Sequence, residues 1–485
     1  MPWPAWPSTA GATPLTTQSA PTLEWSRVKL ATDAQPHPVR TVSPVPTEAL
    51  AHAPRPARAP RPEPLASQPW RPSHLLLAPH RLGFALAVLL LLASGVWWAL
   101  VQVDRVTGAL GLGYAVSPSL GHAAVMTFGF IPLFFTGFLF TAGPKWLGVK
   151  GPEARTLLVP LLLQAAGWLV WLAGIHTALW LGLAGAAAAL LGLGWVVVLF
   201  AQLVRRSTLD DRLHARTVAV AGAVGVASLA LLLLALVAGA DGVAHAAVLT
   251  GLWGFVVVVY LVVAHRMIPF FTSSAVPMID VWRPFWVLWM LLGAVALELA
   301  ALWVPLLLSW LGEPAGRGGR AWMLALGLLQ LAAGSVILWL AFVWGLVQSL
   351  SIRLLAMLHL GFLWLGVSFV LAGVSQLLGL RLGTPVLGLG ALHALTMGCL
   401  GSLMLAMVTR VSCGHSGRTL VADNTVWALF WLLQLAVLLR IGATLPQAPV
   451  WLLMAAALLW VGVMAVWGLR MLGWYGRQRA DGRPG

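Results

Sequence analysis

The sequence predicts an all-α fold, a polytopic membrane helix bundle with about twelve transmembrane helices. Of its 485 residues, 60% are hydrophobic and 9% are charged, whereas soluble domains contain roughly 25% charged residues. Apolar runs of about 20 residues, long enough to cross a bilayer, recur between charged residues, prolines and glycines. The chain is therefore predicted to be an integral membrane protein with the lipid bilayer as its first partner.

Twelve candidate helices follow from these runs: residues 83–103, 122–142, 156–175, 178–203, 217–239, 243–265, 285–309, 321–350, 354–380, 385–409, 425–441 and 448–470. They define a membrane domain over residues 83–470 and a cytoplasmic C-terminal tail over residues 471–485. Residues 1–82 hold 17 of the 31 prolines and are predicted to form a disordered cytoplasmic tail. We see no signal peptide before residue 83, so the first span is expected to direct its own insertion.

The basic residues are unevenly divided between the two ends of the predicted bundle. Loops after even-numbered helices hold twelve: Lys145, Lys150, Arg155, Arg205, Arg206, Arg212, Arg216, Arg266, Arg283, Arg353, Arg410 and Arg418. The opposite loops hold five: Arg105, Arg317, Arg320, Arg381 and Arg440. The positive-inside rule then places both termini in the cytoplasm. Topology accounts for the formal charge of +15, so nucleic acid is not expected as a partner.

A short internal repeat opens three of the predicted helices. HAAVMTFGF begins at His122, HAAVLTGLWGF at His245 and HALTMGCLG at His393. The three helices are four apart and would run in the same direction across the membrane. The repeat favours a chain built from three four-helix units.

The repeated histidines are candidate metal ligands, because imidazole binds haem iron and copper and thioether sulfur suits some haems and Cu(I). His122 with Met126, and His393 with Met397, share an i, i+4 spacing that places each pair on one helix face. If the helix is regular, Met404 and Met407 continue the stripe begun by His393. The alternative is an interfacial imidazole beside methionines that fill packing gaps.

Three further histidines lie toward the predicted cytoplasmic side. His265 and His359 are at or inside span ends and could form a second metal layer, whereas His415 is expected in a loop. The other histidines look like tail or loop residues: His37, His52, His74, His80, His176 and His214.

Glu298 is the one acidic residue in the middle of a predicted span. It could relay protons or a coupling ion, or it could be neutral and hydrogen-bonded to a neighbouring helix. Arg266, Arg410 and Arg418 could pair with haem propionates, although positive-inside topology already places basic residues there.

The segment HALTMGCLGSLMLAMVTRVSCGHSGRTL resembles the most diagnostic stretch of the NnrS family. GHAAVMTFGFIPLFFTGFLFTAGPKWLG, HRMIPFFT and LHLGFLWLG also resemble family segments and occur in the expected order. The resemblance covers residues 83–470. It implies a haem- and copper-containing inner-membrane protein associated with denitrification and nitric oxide response, with nitric oxide or a metal–nitrosyl species as a partner. The chain lacks CxxCH for covalent attachment, so the haem would be b-type.

The chain departs from the family at the start of its second helix. Members often carry His-Ala-His-Glu-Met, where this sequence has alanine at Ala124 and valine at Val125. The twelve-helix plan is also similar to haem–copper oxidase catalytic subunits, a likeness that implies axial haem ligands at His122 and His393 and a copper ligand at His245. Several ligands of the usual binuclear centre are missing, which argues against oxygen reduction.

Three functions therefore remain open. The first is a haem- and copper-binding protein of nitric oxide response or denitrification, the second a secondary transporter, and the third a terminal oxidase or nitric oxide reductase-like enzyme. The sequence does not decide whether the protein is an enzyme, which groups complete a copper site, or how many chains associate.

The loop asymmetry generates a topology prediction. Reporter domains fused to either terminus should report a cytoplasmic location, because the loops on that side hold twelve basic residues and the loops on the other side hold five. Periplasmic activity of either fusion would contradict it, and a fusion after the first span, which should report the outside, is the matched control.

Overall fold

The computed structural model describes residues 69–311, 317–384 and 386–481, which form helices and connecting turns without a strand. It confirms the all-α class, with twelve helices long and apolar enough to cross a membrane. Most of the predicted N-terminal tail, including His37 and His52, lies outside the described residues. The helices are α1 Pro79–Thr107, α2 Pro118–Leu147, α3 Ala154–Thr177, α4 Leu179–Arg206, α5 Leu213–Val237, α6 Asp241–Ala275, α7 Phe285–Trp310, α8 Gly319–Val343, α9 Arg353–Leu382, α10 Gly390–His415, α11 Asn424–Gly442 and α12 Trp451–Tyr475.

Several helices extend beyond the predicted apolar runs. The first begins at Pro79, because proline suits the first position of a helix, where its missing N–H is not needed. The sixth continues to Ala275 and the tenth to His415, since a helix can continue past the apolar run with polar side chains. His415 is therefore the last residue of a helix, and the expectation that it lies in a loop was wrong.

The same neighbour relations recur in the three four-helix units. The first helix of each unit packs against its second, in the pairs α1–α2, α5–α6 and α9–α10. The last helix of one unit packs against the first of another, in the pairs α4–α5, α8–α9 and α12–α1. These recurring pairs are consistent with the predicted repeat. Below, "arginine-poor end" means the end of the bundle where α2, α6 and α10 begin, and "arginine-rich end" means the end where they finish.

Close helix packing depends on glycine at two contacts, one between α1 and α2 and one between α3 and α4. A Cβ atom on Gly83 of α1 would lie 2.7 Å from the Cα atom of Gly137 of α2, and one on Gly174 would lie 2.2 Å from the backbone nitrogen of Gly182. Either distance is shorter than atoms can approach. Small residues thus allow the helix backbones to meet directly, a common means of association where lipid removes the hydrophobic drive.

Each of the three repeat helices is irregular in the turns that follow its histidine, beginning seven residues after His122 and His245 and one residue after His393. In α2 the helix is interrupted at Gly129 (φ −81°, ψ −97°), three residues before Pro132, which lacks an N–H group. A π-helical segment occupies Leu252–Val257 of α6, and another occupies Ala394–Gly401 of α10. The methionine stripe predicted from a regular tenth helix is therefore wrong, because wider i→i+5 turns shift every later position.

Asp423 fixes the start of α11. Its carboxylate accepts a hydrogen bond from the backbone N–H of Val426 at 3.0 Å and pairs with the guanidinium of Arg470 on α12. Arg470 holds the pKa of Asp423 below its ordinary value, with the backbone hydrogen bond acting in the same direction. One side chain therefore caps a helix and ties two helices together.

We expect Asp423→Ala to lower the free energy of unfolding by about 1 kcal/mol, the usual cost of losing an N-cap. Asp423→Asn keeps a capping side chain and should lose less, because an exposed ion pair contributes about 0–1 kcal/mol. The carboxylate's contribution is complete above the unfolded pKa of about 4 and is lost as pH falls through the lower folded pKa. Thermal unfolding in detergent at several pH values measures both, and equal melting temperatures for wild type and Asp423→Ala at pH 7 would refute the assignment.

Candidate functional site

His122 lies one turn after the start of α2, at the arginine-poor end. Its imidazole stacks on the indole of Trp98 from α1, with ring centroids 3.9 Å apart and planes inclined by 17°. Its Nδ1 atom is buried without a hydrogen-bond partner. A buried polar atom without a partner costs free energy, so this nitrogen is a place where a ligand would be stabilising.

His393 begins the corresponding stretch of α10. Its Nδ1–H donates to the carbonyl oxygen of Leu389 at 2.9 Å, one helical turn earlier. A carbonyl only accepts, so in the neutral ring the proton is on Nδ1 and Nε2 carries the lone pair. Histidines that bind metals are commonly oriented by such a bond from the other ring nitrogen.

His122 and His393 lie at the same end of the bundle. His393 acts electrostatically on His122, and Arg440 of α11 acts on both. Met126 and Met397, one turn beyond each histidine, are partly buried. The arginine-poor end therefore holds two histidines from equivalent positions in the repeat and a cation beside them.

A polar chain holds α10 in place beyond its π-helical segment. The indole N–H of Trp364 on α9 donates to Gln434 Oε1 on α11 at 2.7 Å, and Gln434 Nε2 donates to the hydroxyl oxygen of Ser402 at 3.0 Å. A Cβ atom on Gly398 would lie 2.7 Å from the Trp364 ring. The helix that carries His393 is thus fixed from two sides just after its irregular turns.

His245, the third member of the repeat, is exposed. Its Nδ1–H donates to the carbonyl oxygen of Asp241 at 2.9 Å, the same i−4 bond that His393 makes. Its Nε2 lone pair is therefore available in the neutral ring. The shared orientation supports the repeat, although His245 lies on the surface of α6.

His265 of α6 forms an imidazole pair with His214 of α5, with His214 Nε2 and His265 Nδ1 3.0 Å apart. The other nitrogen of His265 lies 3.2 Å from the carbonyl oxygen of Pro284, so it carries the proton. His214 must then donate to His265, which leaves a lone pair on His214 Nδ1, buried without a partner. The expectation that His214 is a loop residue was wrong, since it is buried in the first turn of α5.

His359 of α9 is fully buried and bonds to a hydroxyl instead of a second imidazole. Thr272 Oγ1 donates to the carbonyl oxygen of Ile268, so it accepts from His359 Nε2–H at 2.9 Å. The proton is therefore on Nε2, and Nδ1 is a buried nitrogen with no partner. His359 and His265 thus have different hydrogen-bond partners, although the sequence suggested them as a pair.

A further pair of histidines meets at the arginine-rich end. The rings of His80, in the first turn of α1, and His415, at the end of α10, have centroids 4.5 Å apart. His80 is buried, with 4% of its surface exposed, so its assignment to the tail was also wrong. The proline-rich composition of residues 1–82 led to this assignment, but Pro79 is the first residue of α1.

The three arginines considered for haem propionates, Arg266, Arg410 and Arg418, contact aromatic rings at the arginine-rich end. The guanidinium carbon of Arg410 lies 3.9 Å from the centroid of Phe271, and that of Arg418 lies 4.3 Å from Trp474. Burial lowers the pKa of Arg418. Arg410 follows His393 by 17 residues, about 25 Å along a helix. Arg440 lies at the other end of the bundle, where it acts on His122 and His393.

Within residues 69–311, 317–384 and 386–481, no three His, Cys, Asp or Glu side chains converge as a metal-binding group. Among these residues, His214 contacts His265 and His80 contacts His415, while His393 acts electrostatically on His122. Two axial ligands are enough for haem iron, whereas selective copper sites generally use more donors. His214, Arg440 and Trp98 were not found from the sequence, since nothing but the fold brings them to their partners.

A family profile described as NnrS protein matches residues 74–479. Comparison with curated proteins and with solved structures found no match. Because the family match runs from before α1 to beyond α12 and includes every histidine of the repeat, the chain belongs to the NnrS family.

Proposed function

We propose that this protein is a haem- and copper-binding inner-membrane protein of the nitric oxide response, with one b-type haem held between His122 and His393. Membership of the NnrS family fits a role in nitric oxide response. The observation that carries the haem assignment is that these two histidines, from equivalent repeat positions, lie at the arginine-poor end near enough for His393 to act electrostatically on His122. Denitrification is the metabolic setting in which such a response is needed.

The residues present fit a bis-histidine haem. His393 offers an Nε2 lone pair fixed by its bond to Leu389, and His122 has a buried nitrogen without a partner. Arg440 acts on both rings and would supply a cation for a haem propionate. It takes the role that the sequence suggested for Arg266, Arg410 and Arg418. When bound, the haem iron supplies one-electron redox chemistry.

The chain's own residues would orient and protect the group. Trp98 covers one face of the His122 ring. Ala124 and Val125, which stand where the family resemblance implied histidine and glutamate, are fully buried apolar residues. His122 is therefore the imidazole that would hold the group at this turn of α2. Met126 and Met397 would line the site, with the thioether as an alternative donor.

His122→Ala and His393→Ala are each expected to lower the haem-to-protein ratio at least about tenfold, because losing even an outer-shell partner of a metal ligand costs about 10–100-fold in affinity. Absorption spectra of the purified full-length chain measure this. His245→Ala is the matched control, since it removes the third repeat histidine from an exposed position. Full haem content and an unchanged spectrum in both variants would refute the ligand assignment.

For copper, we propose the pair His214 and His265. Two imidazole nitrogens are already 3.0 Å apart, and metal–nitrogen bonds of about 2 Å need the rings to separate by only about 1 Å. His359 supplies another buried lone pair on the neighbouring helix α9. His245, exposed and with its partner in the backbone, is the alternative outer site.

Copper-to-protein ratios distinguish these sites. We expect His214→Ala and His265→Ala each to lose most of the copper, about tenfold or more, while His245→Ala keeps it. His359→Ala reports whether the third imidazole contributes. Loss of copper in His245→Ala alone would move the site to the arginine-poor end, and full copper in all four variants would remove every one of these histidines from it.

A secondary transporter is the second candidate, favoured by one observation: Glu298 lines a cavity inside the bundle. No comparable observation favours a terminal oxidase or nitric oxide reductase-like enzyme.

A further inference from the structure

A cavity of about 280 Å³ lies among α6, α7, α8, α9 and α10. Its polar lining consists of Glu298 from α7, Gln330 from α8, and Ser368, Ser375 and Gln376 from α9, while the rest of the wall is mainly apolar. A single water needs roughly 10–15 Å³ of such space, so this cavity has room for several. Neither the haem pair nor the histidines of the arginine-rich end line it.

The cavity extends from the middle of the bundle to its arginine-poor end. Glu298 lies 12 residues before the end of α7 at Trp310, about 18 Å along a helix. Gly388 and Leu389, in the turn just before α10, line the same space. The cavity therefore connects a mid-depth carboxyl group with one face of the membrane domain.

Several polar atoms in the cavity lining are hydrogen-bond acceptors. Gln330 Nε2 donates to Glu298 Oε1 at 2.8 Å, and Gln330 Oε1 is buried without a partner. The hydroxyls of Ser368 and Ser375 already donate to the carbonyl oxygens of Leu365 and Val386, so their remaining polar capacity is as acceptors. Acceptor oxygens beside a carboxylate favour a positive charge in the cavity.

We propose that Glu298 binds one monovalent inorganic cation, a proton or an alkali-metal ion, that enters from the arginine-poor end. In the proton case, the carboxylate takes a proton from hydronium in the cavity and releases a water molecule. In the alkali case, the carboxylate and Gln330 Oε1 are the first two oxygen ligands. Glu298 at membrane depth is costly as an unpaired anion, and either cation removes that cost.

Among the described residues, no second charged group opposes this assignment. The Glu298 carboxyl group is buried and accepts a hydrogen bond from Gln330, and no other titratable group acts on it. None of the lining side chains from α6, α8, α9 and α10 is charged. Glu298 is therefore the charged side chain of the lining. Leu389, whose carbonyl oxygen accepts from His393, joins the wall of the cavity to the proposed haem site.

Carbodiimide labelling of the purified full-length chain tests the proposal, because carbodiimides add to protonated carboxyl groups and form a stable N-acylurea. We expect dicyclohexylcarbodiimide to label the Glu298 peptide, seen by mass spectrometry, with a yield that falls between about pH 5 and 9, the range in which buried carboxyls titrate. Glu298→Gln should abolish the adduct, and Glu298→Asp should retain it. Absence of a wild-type adduct at every pH would overturn the proposal, even if Glu298→Gln did not fold.

Two further measurements identify the cation and its route. Sodium added at fixed pH should protect Glu298 if an alkali ion binds, whereas lack of protection assigns the site to the proton. A water-soluble, membrane-impermeant carbodiimide should label Glu298 in vesicles that expose the arginine-poor end and not in inverted vesicles. Labelling only in the inverted vesicles would refute entry from that end. Unchanged haem and copper in Glu298→Gln would separate this result from the fate of the proposed cofactor sites.

Discussion

In hydrocarbon, every backbone N–H and C=O group has to be satisfied inside the protein, and this constraint determines most of the structure. It requires helices for all twelve spans and makes any departure from regular helical bonding expensive. The chain nevertheless departs from it in α2, α6 and α10, each time in the turns that follow a repeat histidine. Irregular turns are often found at functional sites, and their recurrence in all three repeat helices supports a link between the repeat and the candidate site.

The same requirement extends to side chains and determines which imidazole nitrogens are available. His393 and His245 use a carbonyl of the preceding turn, while His265 and His359 use a proline carbonyl and a threonine hydroxyl. In each case the proton position follows from which neighbours can only accept. The fold thus leaves an imidazole nitrogen with a lone pair and no partner on His214 and His359 at the arginine-rich end. A lone pair of this kind is what binds a metal ion or a proton.

The helix count and the positions of the repeat histidines could be predicted because they depend on apolar run length and on short local motifs. The placement of His122 and His393 at one end of the bundle was also predicted, from the repeat and from the likeness to haem–copper oxidase subunits. The pairing of His214 with His265 was not, because it joins the first turn of α5 to the second half of α6 and leaves no local pattern. The irregular turns were not predicted for a related reason. The segment around Cys399 contains no proline, so no local residue signals the wider turns that the structure shows.

At the arginine-rich end, several guanidinium groups lie on aromatic faces, as Arg266 does on Trp146, Arg410 on Phe271 and Arg418 on Trp474. A carboxylate partner would cancel the charge of an arginine, but an aromatic ring attracts the cation and leaves its charge intact. These contacts also do not titrate near neutral pH. That end of the bundle consequently keeps a positive surface potential, and anionic lipid headgroups are attracted to it by about 1 kcal/mol per basic residue near the surface.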